Sequence, residues 1–167
     1  GCIGRLDFQK NQLFLLDIFK EILKYQSNAI LWLIGDGEDR KKIENKAKML
    51  KIDENVLFLG VRKDVPLLLQ AMDVMIMPSK FEGLGIAAIE SQAAALPSLL
   101  ADTLPKETRV TRFASYLSLN ENAEVWAKTA IKMSLEKERY DTSEEIAQHG
   151  FDIRTASRFL SNVLKSS

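Results

Sequence analysis

The sequence has very few of the residues that build metal centres and disulfides. Its 167 residues include one cysteine, Cys2, and one histidine, His149. A single cysteine cannot form an internal disulfide, which agrees with a reducing compartment. One cysteine and one histidine are also too few for a zinc site of the usual ligands. We therefore expect a cytoplasmic protein without structural zinc.

A net charge and long apolar runs are missing as well. The 23 Lys and Arg residues balance 23 Asp and Glu residues, so no overall field attracts a polyanion and extensive nucleic-acid binding is disfavoured. No stretch approaches the roughly 18 to 20 uninterrupted apolar residues that a spanning helix needs. The N-terminus carries no visible signal peptide and begins like the end of a strand. We therefore expect a fragment of a longer protein.

The remaining composition is typical of a soluble globular protein. Hydrophobic residues make up 46% of the chain and charged residues 28%, and this length is sufficient for a hydrophobic core. No linker, repeat or low-complexity segment divides the sequence. We therefore predict a single domain over residues 1–167.

Short apolar runs alternate with helical patterns along most of the chain. Buried strands are predicted at 29–34, 56–59, 74–77 and 97–100, and helices at 12–25, 39–50, 65–71 and 85–95. Such alternation requires crossovers, which are nearly always right-handed. The sequence therefore predicts an α/β fold, a Rossmann-like open parallel sheet with helices on both faces.

The pattern is weaker in the last third. It predicts a strand at 116–119 and helices at 121–137, 141–149 and 153–165. The last of these has a broad apolar face. That face either contacts another domain or belongs to the core.

Two cations follow the strand remnant at the N-terminus. Arg5 and Lys10 lie five residues apart in the turn before the first helix. A guanidinium and an ammonium at a strand end can hold a diphosphate. The alternative is a solvated charge pair in a turn, because Lys and Arg are mostly exposed.

A glycine-containing loop joins the strand at 74–77 to the next helix. Gly83 and Gly85 allow close backbone approach, and the helix that follows presents free N–H groups to an anion. Glu82 and Glu90 flank this turn and are separated by about two helical turns. Carboxylates bind vicinal hydroxyls, so one could hold a ribose and the other a sugar. A bare Gly-Leu-Gly would more often be a simple turn.

These motifs together resemble a known family. They are the Glu-x7-Glu pair of Glu82 and Glu90, the Gly-Arg-x4-Lys motif at residues 4–10 and the turn at 34–37. As a set they are similar to the C-terminal, donor-binding half of family 4 retaining glycosyltransferases of the GT-B fold. The resemblance covers residues 1–101. The divergent tail is similar to the branch that builds bacterial capsular or extracellular polysaccharide.

The resemblance implies a hexosyltransferase that takes its sugar from a nucleotide diphosphate with retention and without a cofactor or a metal. The acceptor would be a saccharide or a lipid-linked saccharide held by an N-terminal domain that this chain lacks, so the isolated chain should be inactive. The full-length protein could associate with the inner face of a membrane. The implied site has Arg5 and Lys10 on the diphosphate, Glu90 on the ribose, Glu82 as the catalytic residue on the sugar hydroxyls, Gly83, Leu84 and Gly85 as backbone donors, and Val61 and Arg62 beside the base.

The chain departs from the family pattern at two places. Ala95 stands where a glycine normally ends the helix, and a left-handed conformation there would cost about 1 kcal/mol. Residues 102–107 replace the usual glycine pair and the glutamate that follows it. These departures support an alternative, a non-catalytic nucleotide-binding or assembly module that keeps the fold. A receiver-like or flavodoxin-like domain shares the alternating pattern, but the two glutamates and two cations do not form the acidic cluster that a receiver needs.

Smaller features fit structural roles. Asp36 or Asp39 is predicted to cap the helix at 39–50, and Asp64 the helix at 65–71. His149 fits a helix C-terminus rather than a catalytic role. Trp32 and Trp126 are predicted to pack rather than to stack on bases.

Overall fold

The computed structural model describes residues 1–135 and 138–151. Within these residues, strands alternate with helices as predicted. The strands are β1 (Cys2–Ile3), β2 (Leu31–Ile34), β3 (Val56–Gly60), β4 (Met75–Met77), β5 (Ser98–Ala101) and β6 (Ala114–Leu117). The helices are α1 (Gln12–Tyr25), α2 (Arg40–Leu50), α3 (Val65–Ala71), α4 (Ile86–Ala93), α5 (Ala123–Ser134) and α6 (Ser143–Gln148), with short 3-10 turns at Asp53–Asn55 and Lys106–Thr108.

The strands pair in parallel as β1-β2-β3 and β4-β5-β6. Gly1 connects the two groups, because its amino nitrogen donates to the Val74 carbonyl at 2.8 Å and its carbonyl accepts from the Ile76 N–H at 2.9 Å. The strand order along the edge is therefore β3-β2-β1-β4-β5-β6. The order reverses between β1 and β4, and ligands of open α/β sheets bind at such a switch point.

Helices cover both faces of the sheet. Helix α1 packs against α2 and α5 and forms one layer with them. Right-handed crossovers from β3 to β4 and from β4 to β5 place α3 and α4 on the opposite face. This arrangement confirms the predicted α/β architecture.

The core contains one of the two tryptophans. Trp126 is fully buried, meets the Phe14 ring edge to face at 6.0 Å between centroids, and donates from Nε1 to the Ser118 carbonyl at 3.0 Å. Trp32 in β2 is partly buried and packs against the same core. Both tryptophans have the packing role that the sequence indicated.

Most helix and strand bounds lie within two residues of those predicted. The α4 helix ends at Ala93 rather than at residue 95, because Ala95 adopts a left-handed conformation with φ of 51°. Strand β6 begins at Ala114, two residues earlier than predicted. The predicted helix at 153–165 and the last residues of the predicted helix at 121–137 lie outside the described residues.

The predicted aspartate caps are wrong. Asp39 and Asp64 occupy the N-cap positions of α2 and α3, but neither side chain caps its helix. Cationic neighbours take the carboxylates instead: Lys42 contacts Asp39 at 2.5 Å, and Arg62 contacts Asp64 at 2.6 Å. The Arg62 guanidinium also holds the pKa of the Asp64 carboxyl below its ordinary value. An ion pair with a nearby cation thus replaces each expected cap.

His149 is the C-cap of α6, with Nδ1 at 2.8 Å from the Glu145 carbonyl, which confirms its predicted place at a helix C-terminus.

Among the described residues, none of the helices combines the length and the apolar character required to cross a bilayer.

Candidate functional site

Two loops meet at the switch point between β1 and β4. The first loop spans residues 4–11 before α1, and the second spans residues 78–85 before α4. Lys80 N–H donates to the Gln9 carbonyl at 2.8 Å, and Asn11 Nδ2 donates to the Pro78 carbonyl at 3.0 Å. Gln9 Nε2 donates to the carbonyl of Phe81 at 3.1 Å. These bonds fix the two loops against each other, so side chains on both loops can act on one ligand.

A close backbone approach at Gly35 sets the path of the first loop. Gly4 N–H donates to the Ile34 carbonyl at 2.9 Å, and a Cβ added at Gly35 would lie 2.0 Å from the Gly4 carbonyl oxygen. Gly35 also has φ of 130°, which L side chains rarely adopt. The turn after β2 therefore requires glycine, and it supports the loop that carries Arg5 and Lys10.

Lys10 and Glu82 form an ion pair across the two loops. Lys10 Nζ donates to Glu82 Oε1 at 2.6 Å, and the side chains are 15% and 5% exposed. The sequence placed both residues in one site but on different parts of a ligand. The structure brings them into direct contact, which sequence reasoning did not predict.

Backbone N–H groups at the start of α4 are available to a ligand. The N–H groups of Gly83, Leu84 and Gly85 donate to no other part of the chain that the structure describes. Gly85 is the N-cap of α4, with φ of 64° and Thr108 Cγ2 at 3.0 Å from the place of a Cβ. The partial positive charge of a helix N-terminus favours an anion at these N–H groups.

Arg5 and Glu90 are both exposed. Arg5 belongs to the first loop, and its carbonyl accepts from Gln12 Nε2 at 2.8 Å. Glu90 is the fifth residue of α4. Neither side chain forms an ion pair with residues 1–135 or 138–151. Both side chains are therefore free to contact a ligand.

Val61 and Arg62 follow β3, two strands away from β1 along the same edge. The Val61 side chain is 81% exposed. Arg62 binds Asp64 through both Nε and Nη2, at 2.8 and 2.6 Å. The Arg62 guanidinium is thus engaged within its own turn.

Sequence reasoning missed a buried glutamine behind the second loop. Gln92 in α4 is fully buried, and its Oε1 accepts the N–H groups of Val110 and Thr111, both at 3.0 Å. Its Nε2 donates to the Thr108 carbonyl at 2.7 Å. Gln92 therefore ties α4 to the segment after β5. A polar residue within an alanine-rich run was the signal that could have identified it.

The segment that departs from the family pattern also contacts the site. Thr103 Oγ1 donates to the Ser79 carbonyl at 2.6 Å. Ser79 is fully buried, and its hydroxyl has no hydrogen-bond partner among the described residues. Residues 102–107 thus lie against the second loop and help to fix its path.

A cavity of about 670 Å³ opens at the opposite edge of the sheet. It lies at the amino ends of β2 and β4, beside Trp32 and Val74, and Asp73 is the one charged side chain in its lining. Ligands of open α/β sheets bind at the carboxyl ends of the strands. We therefore assign the functional site to the two loops rather than to this cavity.

The arrangement at the loops fits an anion with attached hydroxyl groups. Lys10, Arg5 and the N–H groups before α4 provide positive charge, and Glu82 and Glu90 provide acceptors for hydroxyls. In the described part of the chain, no group of three or more His, Cys, Asp or Glu side chains could hold a metal ion.

Comparisons with known proteins agree with this geometry. The chain is 31% identical over 170 residues to the putative glycosyltransferase EpsF of Bacillus subtilis (strain 168), with 100% of this chain and 44% of EpsF covered. It is 32% identical over 103 residues to the Escherichia coli UDP-Gal:alpha-D-GlcNAc-diphosphoundecaprenol alpha-1,3-galactosyltransferase, with 60% of this chain and 27% of that protein covered. The chain thus spans less than half the length of these relatives.

A solved structure shows the same fold. HepE from Anabaena, crystallised in complex with UDP and glucose, superimposes with a TM-score of 0.81 at 21% identity, over 100% of this chain and 48% of HepE. The model of the family described as Glycosyl transferases group 1 matches residues 1–150. A match over most of the chain, together with the parallel sheet, establishes that the chain belongs to the glycosyl transferases group 1 family and has the α/β fold of GT-B glycosyltransferases.

Proposed function

We propose that this chain binds a UDP-sugar and, within a longer protein, transfers a hexose from it with retention of configuration. The observation that carries the proposal is the meeting of Lys10, Glu82 and the free N–H groups before α4 at the switch point. UDP in the HepE complex supports the choice of base. The role is that of a donor-binding domain in polysaccharide biosynthesis.

The diphosphate lies between the two loops. Arg5 offers a planar guanidinium and Lys10 an ammonium, and the N–H groups of Gly83, Leu84 and Gly85 face the same anion. When the bond to the sugar breaks, negative charge develops on the diphosphate. Fixed positive groups stabilise that charge without rearranging, so this chemistry requires no metal or other cofactor.

The two glutamates bind hydroxyl groups of the donor. Glu82, the catalytic residue in this proposal, accepts hydrogen bonds from the transferred sugar, and Glu90 accepts from the ribose. The uracil lies beside Val61 and Arg62, where it contacts main-chain groups, since Asp64 already occupies the Arg62 side chain.

The acceptor is a saccharide or a lipid-linked saccharide, held by a second domain of the full-length protein. The name of the Escherichia coli relative, which specifies a diphosphoundecaprenol acceptor, supports a lipid-linked substrate. Such an acceptor would bring the protein to the inner face of the cytoplasmic membrane. This chain spans less than half the length of its relatives, and by itself it is expected to bind donor without transferring sugar.

Calorimetric titration of this chain with UDP, GDP and ADP tests the proposal. We expect UDP to bind more tightly than the other two nucleotides, and both Arg5→Ala and Glu90→Ala to weaken that binding. Equal binding of all three nucleotides would refute the assigned base. Unchanged binding in both variants would refute the assigned site.

A further inference from the structure

The Lys10–Glu82 ion pair places a carboxylate against a cation that the proposed function assigns to the diphosphate. The two charged atoms are 2.6 Å apart, and both side chains are mostly buried. Water screens a pair of this kind only weakly. Glu82 therefore partly neutralises Lys10 before any ligand arrives.

The Glu82 carboxylate contacts Lys10 where the proposed function places a phosphate oxygen. Glu82 accepts one of the three ammonium protons of Lys10, so a diphosphate that binds Lys10 shares the ammonium charge with Glu82, and its own negative charge must come close to the Glu82 carboxylate. Like charges at such a distance repel each other. A nucleoside diphosphate that carries no sugar therefore competes with Glu82 for Lys10, and it offers no hydroxyl group of a sugar to the Glu82 carboxylate.

A nucleotide-sugar differs from a nucleoside diphosphate because its sugar can also contact Glu82. Its sugar hydroxyls can donate hydrogen bonds to Glu82, so the carboxylate keeps good partners when the diphosphate takes Lys10. Arg5, in contrast, forms no ion pair with the described residues, so its guanidinium charge is not shared with a carboxylate there. The competition is confined to Lys10.

We infer that Glu82 acts as an internal competitor for Lys10, which weakens the binding of nucleoside diphosphate relative to nucleotide-sugar and so favours release of the spent donor. This inference rests on the proposed function. It gives Glu82 a second role as a residue that discriminates donor from product.

Titration of the Glu82→Gln variant with UDP and with UDP-glucose tests this inference. The variant removes the competing charge and keeps the side-chain shape. We expect UDP to bind on the order of tenfold more tightly than to the wild type, because the carboxylate charge that repels the diphosphate and partly neutralises Lys10 is gone. UDP-glucose should gain less, since it loses its carboxylate partner. The dissociation constant of UDP divided by that of UDP-glucose should therefore fall.

Glu54→Gln is the matched control. Glu54 is exposed in the turn before β3, at the opposite edge of the sheet, and the substitution makes the same change in net charge. We expect this variant to bind both ligands as the wild type does. Equal tightening in Glu54→Gln would show a general charge effect and overturn the inference.

A measurement on the wild-type chain covers the case in which Glu82→Gln does not fold. The ammonium resonance of Lys10 can be followed by nitrogen NMR during titration with UDP. We expect it to shift as a phosphate oxygen binds the ammonium. UDP binding without a shift at Lys10 would overturn the inference.

The outcomes separate the inference from the proposed function. If the wild type binds UDP and Glu82→Gln binds it no more tightly, the inference is wrong and the nucleotide site remains. If neither protein binds UDP or UDP-glucose at millimolar concentration, the proposed function fails, and the inference fails with it.

Discussion

Replacing Gln92 by Met should destabilise the chain although the two side chains are similar in size. Gln92 is fully buried, and its amide accepts from the N–H groups of Val110 and Thr111 and donates to the Thr108 carbonyl. A thioether is at best a weak acceptor and cannot donate. The substitution therefore leaves two buried N–H groups and one carbonyl without their partner.

The structure allows an estimate of the cost. Each buried polar group left without a partner costs about 1–3 kcal/mol. The three groups belong to neighbouring residues, so their costs are not additive, and some relaxation toward water is expected. We expect a loss of about 3–5 kcal/mol, a large part of the roughly 5–15 kcal/mol that stabilises a typical protein.

Urea denaturation followed by circular dichroism measures this loss. Gln70→Met is the matched control, because Gln70 is exposed and forms one long bond of 3.5 Å to the Ala94 carbonyl. Surface changes of this kind usually fall within about 0.5 kcal/mol. A loss below about 1 kcal/mol in Gln92→Met would refute the reasoning that Gln92 holds the segment after β5 against α4.

Three further predictions concern other positions. Gly35→Ala should lower the free energy of unfolding by more than about 3 kcal/mol in urea denaturation or prevent folding, because its Cβ would lie 2.0 Å from the Gly4 carbonyl oxygen. Gly60→Ala, with no atom within 4 Å of its Cβ, should cost only about 1 kcal/mol. An equal loss of stability in both variants would contradict the structure. Ala95→Gly should change stability by less than about 1 kcal/mol, because relief of the left-handed strain is offset by the lost methyl and by greater freedom of the unfolded chain; a larger loss in the same assay would show that the strain is small. Burial raises the pKa of the Cys2 thiol from 9.0 to about 11, so the stability that the thiol contributes should be complete below pH 9 and decline as the pH rises toward 11. Unfolding free energies of the wild type and of Cys2→Ala at pH 8 and pH 10.5 measure this decline. An equal decline in Cys2→Ala would contradict the prediction.

The sequence was sufficient to predict the architecture because hydrophobic periodicity is local. The α1 and α3 helices have the predicted bounds, since apolar spacing marks α1 and a proline in the first turn marks α3. The end of α4 was not predictable in the same way. Ala95 turns left-handed without the glycine that normally signals such a turn.

Contacts between distant residues were beyond the reach of sequence patterns. Lys10 and Glu82 are 72 residues apart, and their ion pair depends on how the two loops pack. The caps failed for a different, local reason. An aspartate at an N-cap can either cap the helix or pair with a cation, and a cation two or three residues away, Arg62 or Lys42, takes part in the ion pair here. Residue type and spacing indicate which groups gather at the switch point, whereas the contact between Lys10 and Glu82 is set by tertiary packing.

We propose that the two loops at the switch point form the nucleotide site. Titration of the isotope-labelled chain with UDP, followed through backbone amide shifts, locates the bound nucleotide. We expect the largest shifts on the amides of Gly83, Leu84 and Gly85 and on residues 4–11. Shifts centred on the cavity beside Trp32 and Val74, or no shifts at millimolar UDP, would contradict it.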